Sequence, residues 1–520
     1  MGNGFPRVIM REIDLSQYVD TLVKGISCVA GITEKGPIGK PQLVSSEAQF
    51  ERIFGGNLKY SDFPLIAKRA LSYGATLWVS RVAHYTDVTR ANTLTARSAT
   101  VTLRDRSARD TLKVTASSPG TWGDRLKVVV SESELDPDHL FTLTVFDEDE
   151  EVETLADVSM DDDSEYYIEK QKSSYLSFDD LASTSGADLD RPALGTFALS
   201  GGDDGVTGIS DADYIGSSTN GTGMYAFDEV DDALQLAIPG ITSPAVITAG
   251  LAYCENRKDM VYIAGTPFDL SPQEAVEFRM GKGVYTHATF NSNYGAMYPT
   301  KVKIYDVVKQ KERLISPEGD VLGIMAVNDF MGDESHAPAG GRRGRLLNAL
   351  GVDVNVGGRG RLGEGNYMSE NQLNPICVFD DMGTVLWGEA TLQRQASLLR
   401  QLHIRRLMIV VEKSVAAYAR SYIFEKNDPT TWRQFYRGIE PKFREWKAKR
   451  WFYDYMIFCD QDAESLDKAK LNIPESVQRG EFKCQIFVKP VASIYWVMID
   501  AVITRLDADF AESLEDAIGA

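Results

Sequence analysis

The chain has 520 residues, of which 43% are hydrophobic and 25% charged; at about 150 residues per domain this is a folded protein of roughly three or four domains. No apolar run approaches the ~18 residues of a membrane-spanning helix, and the N-terminal MGNGFPRVIMREIDLSQYVD lacks the continuous apolar stretch of a secretory signal. The net charge is −20, and the five cysteines are scattered without a C-x-x-C pair, a usage that fits reduced thiols and not a disulfide framework.

In chain order, residues 1–24 read as an extended arm, with Ile9, Ile13 and Leu15 of VIMREIDLS on one strand face. Residues 25–94 have an α/β pattern and form the first part of a core. The apolar strand ISCVAGI leads to a turn at GPIGKP and a helix around SSEAQFERIFG, with Ser45 or Ser46 as N-cap and Gly55-Gly56 as stop. A second helix is expected over about 62–72, then the strand ATLWVSRVA. Residues 95–204 change character: TLKVTAS, RLKVVVSE and LFTLTVFDE are strands between acidic loops, as in an inserted antiparallel surface domain.

From 205 to 390 helical and strand patterns alternate through PAVITAG, MVYIAGTP, the helix SPQEAVEFRMG and the strand KVKIYDVV, which predicts an α/β core. Residues 391–492 read as an α+β domain. Leu407, Val410, Val411, Val415, Tyr418 and Tyr422 recur at helical spacing and predict a helix over 405–424. Trp432, Phe435, Tyr436, Ile439, Phe443 and Trp446 predict a second helix, which Pro441 is expected to kink or divide. The strand-like runs WFYDYMIFC and EFKCQIFVK follow. In the closing segment 493–520, SIYWVMIDAVITR is apolar on both faces and has to be covered on both. The fold class is multidomain α/β (α+β).

Charge is unevenly placed. Residues 131–190 hold twenty Asp or Glu against two Lys, whereas residues 394–450 carry fourteen Lys or Arg against five acids. A basic face in an acidic protein points to an acidic partner.

Residues 327–340, VNDFMGDESHAPAG, crowd Asp329, Asp333, Glu334 and His336 together like an acid–base or metal site. They lack HExxH or i, i+4 ligand spacing, no cysteine is near, and the turn-rich composition predicts a structural polar loop. With five histidines in the chain, histidine-based catalysis has few players. Residues 358–363, GRGRLG, fit G-x-G-x-x-G after VDVNV, with Asp380 about twenty residues on. A dinucleotide site needs a helix to begin there, and GEGNYMSENQLNP reads as turn material. In GITEKGP, Pro37 stands where a P-loop needs Lys, and no G-x-S-x-G elbow is present. No catalytic residue, metal site or cofactor is predicted.

The stretches AGITEKGPIGKPQLVSSEAQFERIFGG, YGATLWVSRV, SPGTWGDRLKVVV, LSGGDDG, LISPEGDVLGIMAVNDFMGDESHAPAG, NQLNPICVFDDMGTVLWGEATL, RRLMIVVEKSV and FEKNDPTTW follow one another in that order. Together they resemble the tail sheath proteins of contractile-tailed bacteriophages. The departures are an arginine–glycine loop at 341–363 that is longer than the family pattern, and the acidic module, where the family varies most.

The resemblance implies a subtilisin-like α/β core without a protease triad. It implies a structural subunit that polymerises helically around a tail tube and contracts to drive the tube through a host envelope for genome ejection. The sheath of a phage-tail-like bacteriocin or injection particle fits the same pattern, and a nucleotide-binding enzyme is the remote alternative. Expected partners are copies of the chain itself, a tail tube protein, and baseplate and tail terminator proteins, with no direct nucleic-acid contact and no membrane insertion. The expected location is the virion tail, assembled in the host cytoplasm.

Terminal arms would add strands to neighbouring subunits: Ile9, Ile13 and Leu15 at one end, and Ile494, Trp496 and Met498 at the other, with Tyr495, Val497 and Ile499 on the opposite face. That 493–506 is a strand of its own domain stays open. Arg405, Arg406, Lys413 and Arg420 are expected to face the tube or the next ring.

Overall fold

The computed structural model describes residues 25–137, 139–181, 191–332 and 334–495. Of the expected arm residues, Ile9, Ile13, Leu15, Trp496, Val497, Met498 and Ile499 lie outside these ranges.

A six-stranded sheet occupies the middle of the molecule, in the spatial order Gly295–Tyr298, Val261–Gly265, Gln235–Ala237, Ile26–Gly31, Thr76–Arg81 and Gln42–Val44. The first five are parallel and Gln42–Val44 is antiparallel at one edge. Parallel strands need cover on both faces, and side chains alternate between two cores. Val29, Leu77, Ala237, Val261 and Ile263 enter one with residues of the helices Phe63–Ser72, Glu318–Met331 and Leu402–Arg420. Cys28, Ala30, Leu236, Tyr262 and Ala264 enter the other with residues of Pro244–Arg257 and Pro272–Met280. PAVITAG therefore opens a helix.

Local signals place several ends. Ser46 caps Glu47–Phe54 by accepting from the Gln49 N–H, and Gly55 stops that helix at φ +84°. Gly323 lets Glu318–Met331 lie against Tyr73: a Cβ there would sit 2.4 Å from the ring. Pro441 does not divide the helix Pro429–Ala448, which is continuous across it.

Two loop expectations are corrected. Residues 327–331 are the last turn and a half of the helix Glu318–Met331, not a loop, because ten of the eleven helix residues before Asp329 are buried. After GRGRLG a helix does form, Leu362–Glu370. It follows a two-residue strand, Gly351–Val352, of a separate antiparallel sheet, so the parallel strand that a dinucleotide fold requires is still missing there.

Among the described residues between Thr100 and Ala198, seven strands form two antiparallel sheets, of four and three strands. They enclose a core of their own containing Trp122, Phe141, Leu143 and Ile168. This module joins the central sheet at its carboxyl edge. Arg81, at the end of its strand, donates to the Pro119 carbonyl at 2.6 Å, and Arg125 bridges Asp147 of the module (3.1 Å) to Glu34 of the sheet's edge (2.8 Å). Burial pushes the Arg81 guanidinium down to about 10.

Candidate functional site

The helix Leu402–Arg420 holds the four predicted basic residues, and folding places three of them inward. Arg406 is 0% exposed. Its Nη2 donates to both oxygens of Asp329, at 2.6 and 2.8 Å. Gln235, with its amide oxygen turned to the arginine, accepts from Nη2 and Nε at 2.7 and 2.9 Å. Arg405 is also buried, its guanidinium 4.6 Å from the centre of the Tyr294 ring and 3.1 Å from Glu412.

Lys413 donates to the Asp231 and Ala233 carbonyls at 2.8 and 2.7 Å, and burial pulls its ammonium below the usual lysine range. Arg420 alone of the four is exposed. For these four residues the expectation is thus corrected: Arg405, Arg406 and Lys413 tie the helix to the chain's own core, and of the four only Arg420 remains free to meet a partner.

The next helix, Pro429–Ala448, starts where Asp428 accepts from the Thr431 N–H and Pro429 presets the first turn. It buries Trp432, Phe435, Ile439, Phe443 and Trp446, the stripe visible in the sequence. Beyond it Phe452–Phe458 and Gln485–Pro490 pair as an antiparallel sheet of two strands. Phe452 and Ile457 face the core. On the other side, the cross-strand partners Met456 and Phe487 are 55% and 52% exposed. Among the described residues neither outer edge of this sheet has a partner strand. Such an edge presents a row of unpaired N–H and C=O groups.

Asp460 fixes the connection between the two strands. Its carboxylate accepts from the N–H groups of Lys470, Leu471 and Asn472 at 2.9, 2.8 and 2.7 Å. Burial raises its pKa, but these donors outweigh that and hold the carboxyl below the usual range. No pattern in the sequence marks this hub, since its donors lie ten to twelve residues away in a segment without regular structure.

Residues 491–495 stay on the chain's own body. Ser493 N–H donates to Gln401, the His403 ring joins Glu389 at 2.6 Å, and the Tyr495 hydroxyl donates to the other Glu389 oxygen at 3.0 Å. Tyr495 is therefore a tether, while Ile494 beside it is 81% exposed.

A cavity of about 400 Å3 opens where the strand order reverses, at the carboxyl ends of Ile26–Gly31 and Gln235–Ala237, the usual ligand position of parallel sheets. Its lining includes Lys59, Tyr60, Asp62, Tyr214, Arg313 and Ser316, with no histidine or cysteine. Arg313 is held by Asp62 and, at 3.0 Å, by Asp306. No nucleophile with an adjacent base converges there.

In sequence, the chain is 29% identical over 235 residues to the tail sheath protein of Vibrio phage KVP40, covering 45% of this chain and 33% of that protein. It is 25% identical over 264 residues to the tail sheath protein of Enterobacteria phage T4, covering 50% and 38%. The resemblance is to tail sheath proteins. The matched stretch is about a third of the length of these curated relatives, and no family model matches the chain.

The fold is shared with solved sheath proteins. A sheath tail protein of Listeria innocua superposes with a TM-score of 0.59 at 13% identity, over 84% of this chain and 89% of that one. The contracted helical sheath of the anti-feeding prophage gives 0.56 at 13%, over 96% and 99%. The contracted sheath of an extracellular contractile injection system gives 0.57 at 12%, over 98% and 99%. The likeness to tail sheath proteins spans a mixed α/β chain with several sheets, as expected.

Proposed function

We propose that this chain is the structural subunit of a contractile sheath: it polymerises helically around a tail tube and shortens by rearranging contacts between copies. The observation that carries the reading is the open two-stranded sheet, with Met456 and Phe487 exposed on its outer face, in a chain whose sequence and fold both resemble tail sheath proteins. Strands supplied by residues 1–24 and by the segment beyond Tyr495 of neighbouring copies satisfy its edges with main-chain hydrogen bonds. Each copy is then tied at several points, so contraction exchanges some contacts without releasing the subunit.

Contacts that do not close on themselves generate helices from one kind of subunit. The extended state is a kinetic trap and the contracted state the lower in free energy, so the role is mechanical and not enzymatic. The central α/β sheet with helices on both faces supports a subtilisin-like core. Tube, baseplate and terminator proteins are the partners at the inner face and at the two ends, in a virion tail assembled in the host cytoplasm.

The likeness to sheaths of the anti-feeding prophage and of an extracellular injection system favours a second reading with the same physics, the sheath of an injection particle. Electron microscopy of the purified protein tests both. Hollow tubes are expected, and uniform small oligomers at all concentrations overturn the reading. Capsid genes beside this one separate a phage from an injection particle.

A further inference from the structure

A charged surface lies outside the sites described above. The last turn of the helix Glu318–Met331 and the short helix Gly340–Arg343 enclose a groove of about 310 Å3, lined by Val327, Asn328, Met331, Arg342, Arg343 and Arg345. Met331 is 83% exposed and Phe330, beside it, 53%. None of the three arginines is paired with a carboxylate among the described residues; Arg345 Nε donates only to the Met382 carbonyl, at 3.0 Å. Three cations around an exposed apolar pair call for an anionic partner with an apolar element.

The same chain carries such a partner. Asp161, Asp162 and Asp163 are exposed, with a carboxylate oxygen of each within 4.8 Å of the others. Tyr166 is exposed three residues on. Nearby Lys170 does not neutralise them by ion pairing, because its Nζ donates to the backbone carbonyls of Asp162 and Ser164. The patch lies just past Val158, which pairs with Phe141 at the end of the strand Phe141–Asp147 opposite the junction with the central sheet. The other end of that strand, Asp147, is where Arg125 bridges to Glu34. The acidic patch is therefore the outer tip of the inserted module.

The two surfaces sit at opposite edges of the central sheet. The module joins at the carboxyl edge, through Arg81 and Glu34. The arginine groove lies at the amino edge: a Cβ on Gly25, the residue before the strand Ile26–Gly31, would sit 2.7 Å from the Phe330 ring. Within one copy, tip and groove are thus reached through opposite edges of the sheet.

We infer that the Asp161–Asp163 tip of one copy docks in the Arg342/Arg343/Arg345 groove of the next. The contact is head-to-tail, between two different surfaces, which is the kind of contact a helical polymer needs. Its occupant is a second copy of this chain, and the argument for it is charge complementarity between surfaces carried at opposite ends. This deepens the proposed sheath role and rests on it for the existence of a polymer. Exposed ion pairs are weak singly and screened by salt, so the contact is exchangeable.

The test is a charge swap on the full chain. R342E/R345E and, separately, D161K/D162K/D163K each place like charges in the contact. Each is expected to weaken self-association in low salt by about tenfold or more, read by sedimentation velocity and by tube counts in electron microscopy. Combining both sets in one chain restores attraction and is expected to recover most of the loss. Thermal midpoints of the variants check that folding is intact; a variant that unfolds is replaced by R342Q or D162N, for which a smaller loss in the same direction is expected. Single sets that associate like the wild type, or a combined chain that stays as weak as its parents, overturn the inference while leaving the sheath reading intact. A wild type that never self-associates overturns both.

Discussion

Arg406 and Asp329 close a fully buried ion pair between two helices, with one guanidinium nitrogen 2.6 and 2.8 Å from the two carboxylate oxygens and neither side chain exposed. The pair fastens the C-terminal helix Leu402–Arg420 to the core helix Glu318–Met331, and Gln235 extends it to the central sheet. A residue read from the sequence as a surface cation is thus an internal brace.

Breaking such a pair strands a buried charge, which costs about 3–5 kcal/mol. Arg406→Ala and Asp329→Ala are each expected to lower stability by about that amount in urea unfolding. The double variant should lose clearly less than the sum. Additive losses in the cycle would show that the two side chains act independently.

Asp460 predicts an acid sensitivity. Its folded pKa lies below the ordinary 3.8, so its contribution is fully present above that value and disappears as pH falls from 3.8 through the folded pKa. Asp460→Asn should lower the thermal midpoint at pH 7, and the gap to wild type should narrow below pH 3.8. A gap of constant size down to pH 2 contradicts this.

Gly438 admits the Tyr418 side chain between the two C-terminal helices: a Cβ there would sit 1.6 Å from the tyrosine oxygen. Gly438→Ala is expected to destabilise by about 1–3 kcal/mol despite its better helix propensity. Tyr418→Phe in the same chain removes the nearest clashing atom but leaves the ring carbon at 2.4 Å, and should recover part of the loss, measured by denaturant midpoint.

The open sheet can be tested without unfolding it. Met456→Glu with Phe487→Lys keeps a favourable cross-strand pair but removes the apolar outer face. Tubes should be lost while circular dichroism and the thermal midpoint stay near wild type. Removal of residues 1–24 is expected to abolish tubes as well, and normal tubes from that deletion exclude a role for the arm.

Reversing Arg420 alone, by Arg420→Glu, is the remaining test of a basic contact on the helix Leu402–Arg420. Assembly on the tail tube should weaken, with the monomer's denaturant midpoint unchanged. Reversing Arg406 would instead unfold the chain and say nothing about partners.

Much was legible from local pattern. The strand ISCVAGI, the Ser46 cap and the Trp432-to-Trp446 stripe appear where periodicity and capping chemistry put them. GEGNYMSENQLNP reads as a turn because two glycines and polar residues resemble one, yet Met368 packs into the core and holds a helix there. VNDFM reads as part of a polar loop because the cation that meets Asp329 inside the protein lies 77 positions away.

By itself the sequence determined many of the strands and helices, that the chain has α/β and antiparallel parts, and which proteins it resembles. All of that follows from short-range spacing and residue type. Only the tertiary structure decided which charges face solvent, because periodicity tells which residues share a face of a helix but not what that face meets. Arg405, Arg406 and Lys413 met a carboxylate, an aromatic ring and backbone carbonyls of the chain's own core, and so turned from a binding surface into part of the frame.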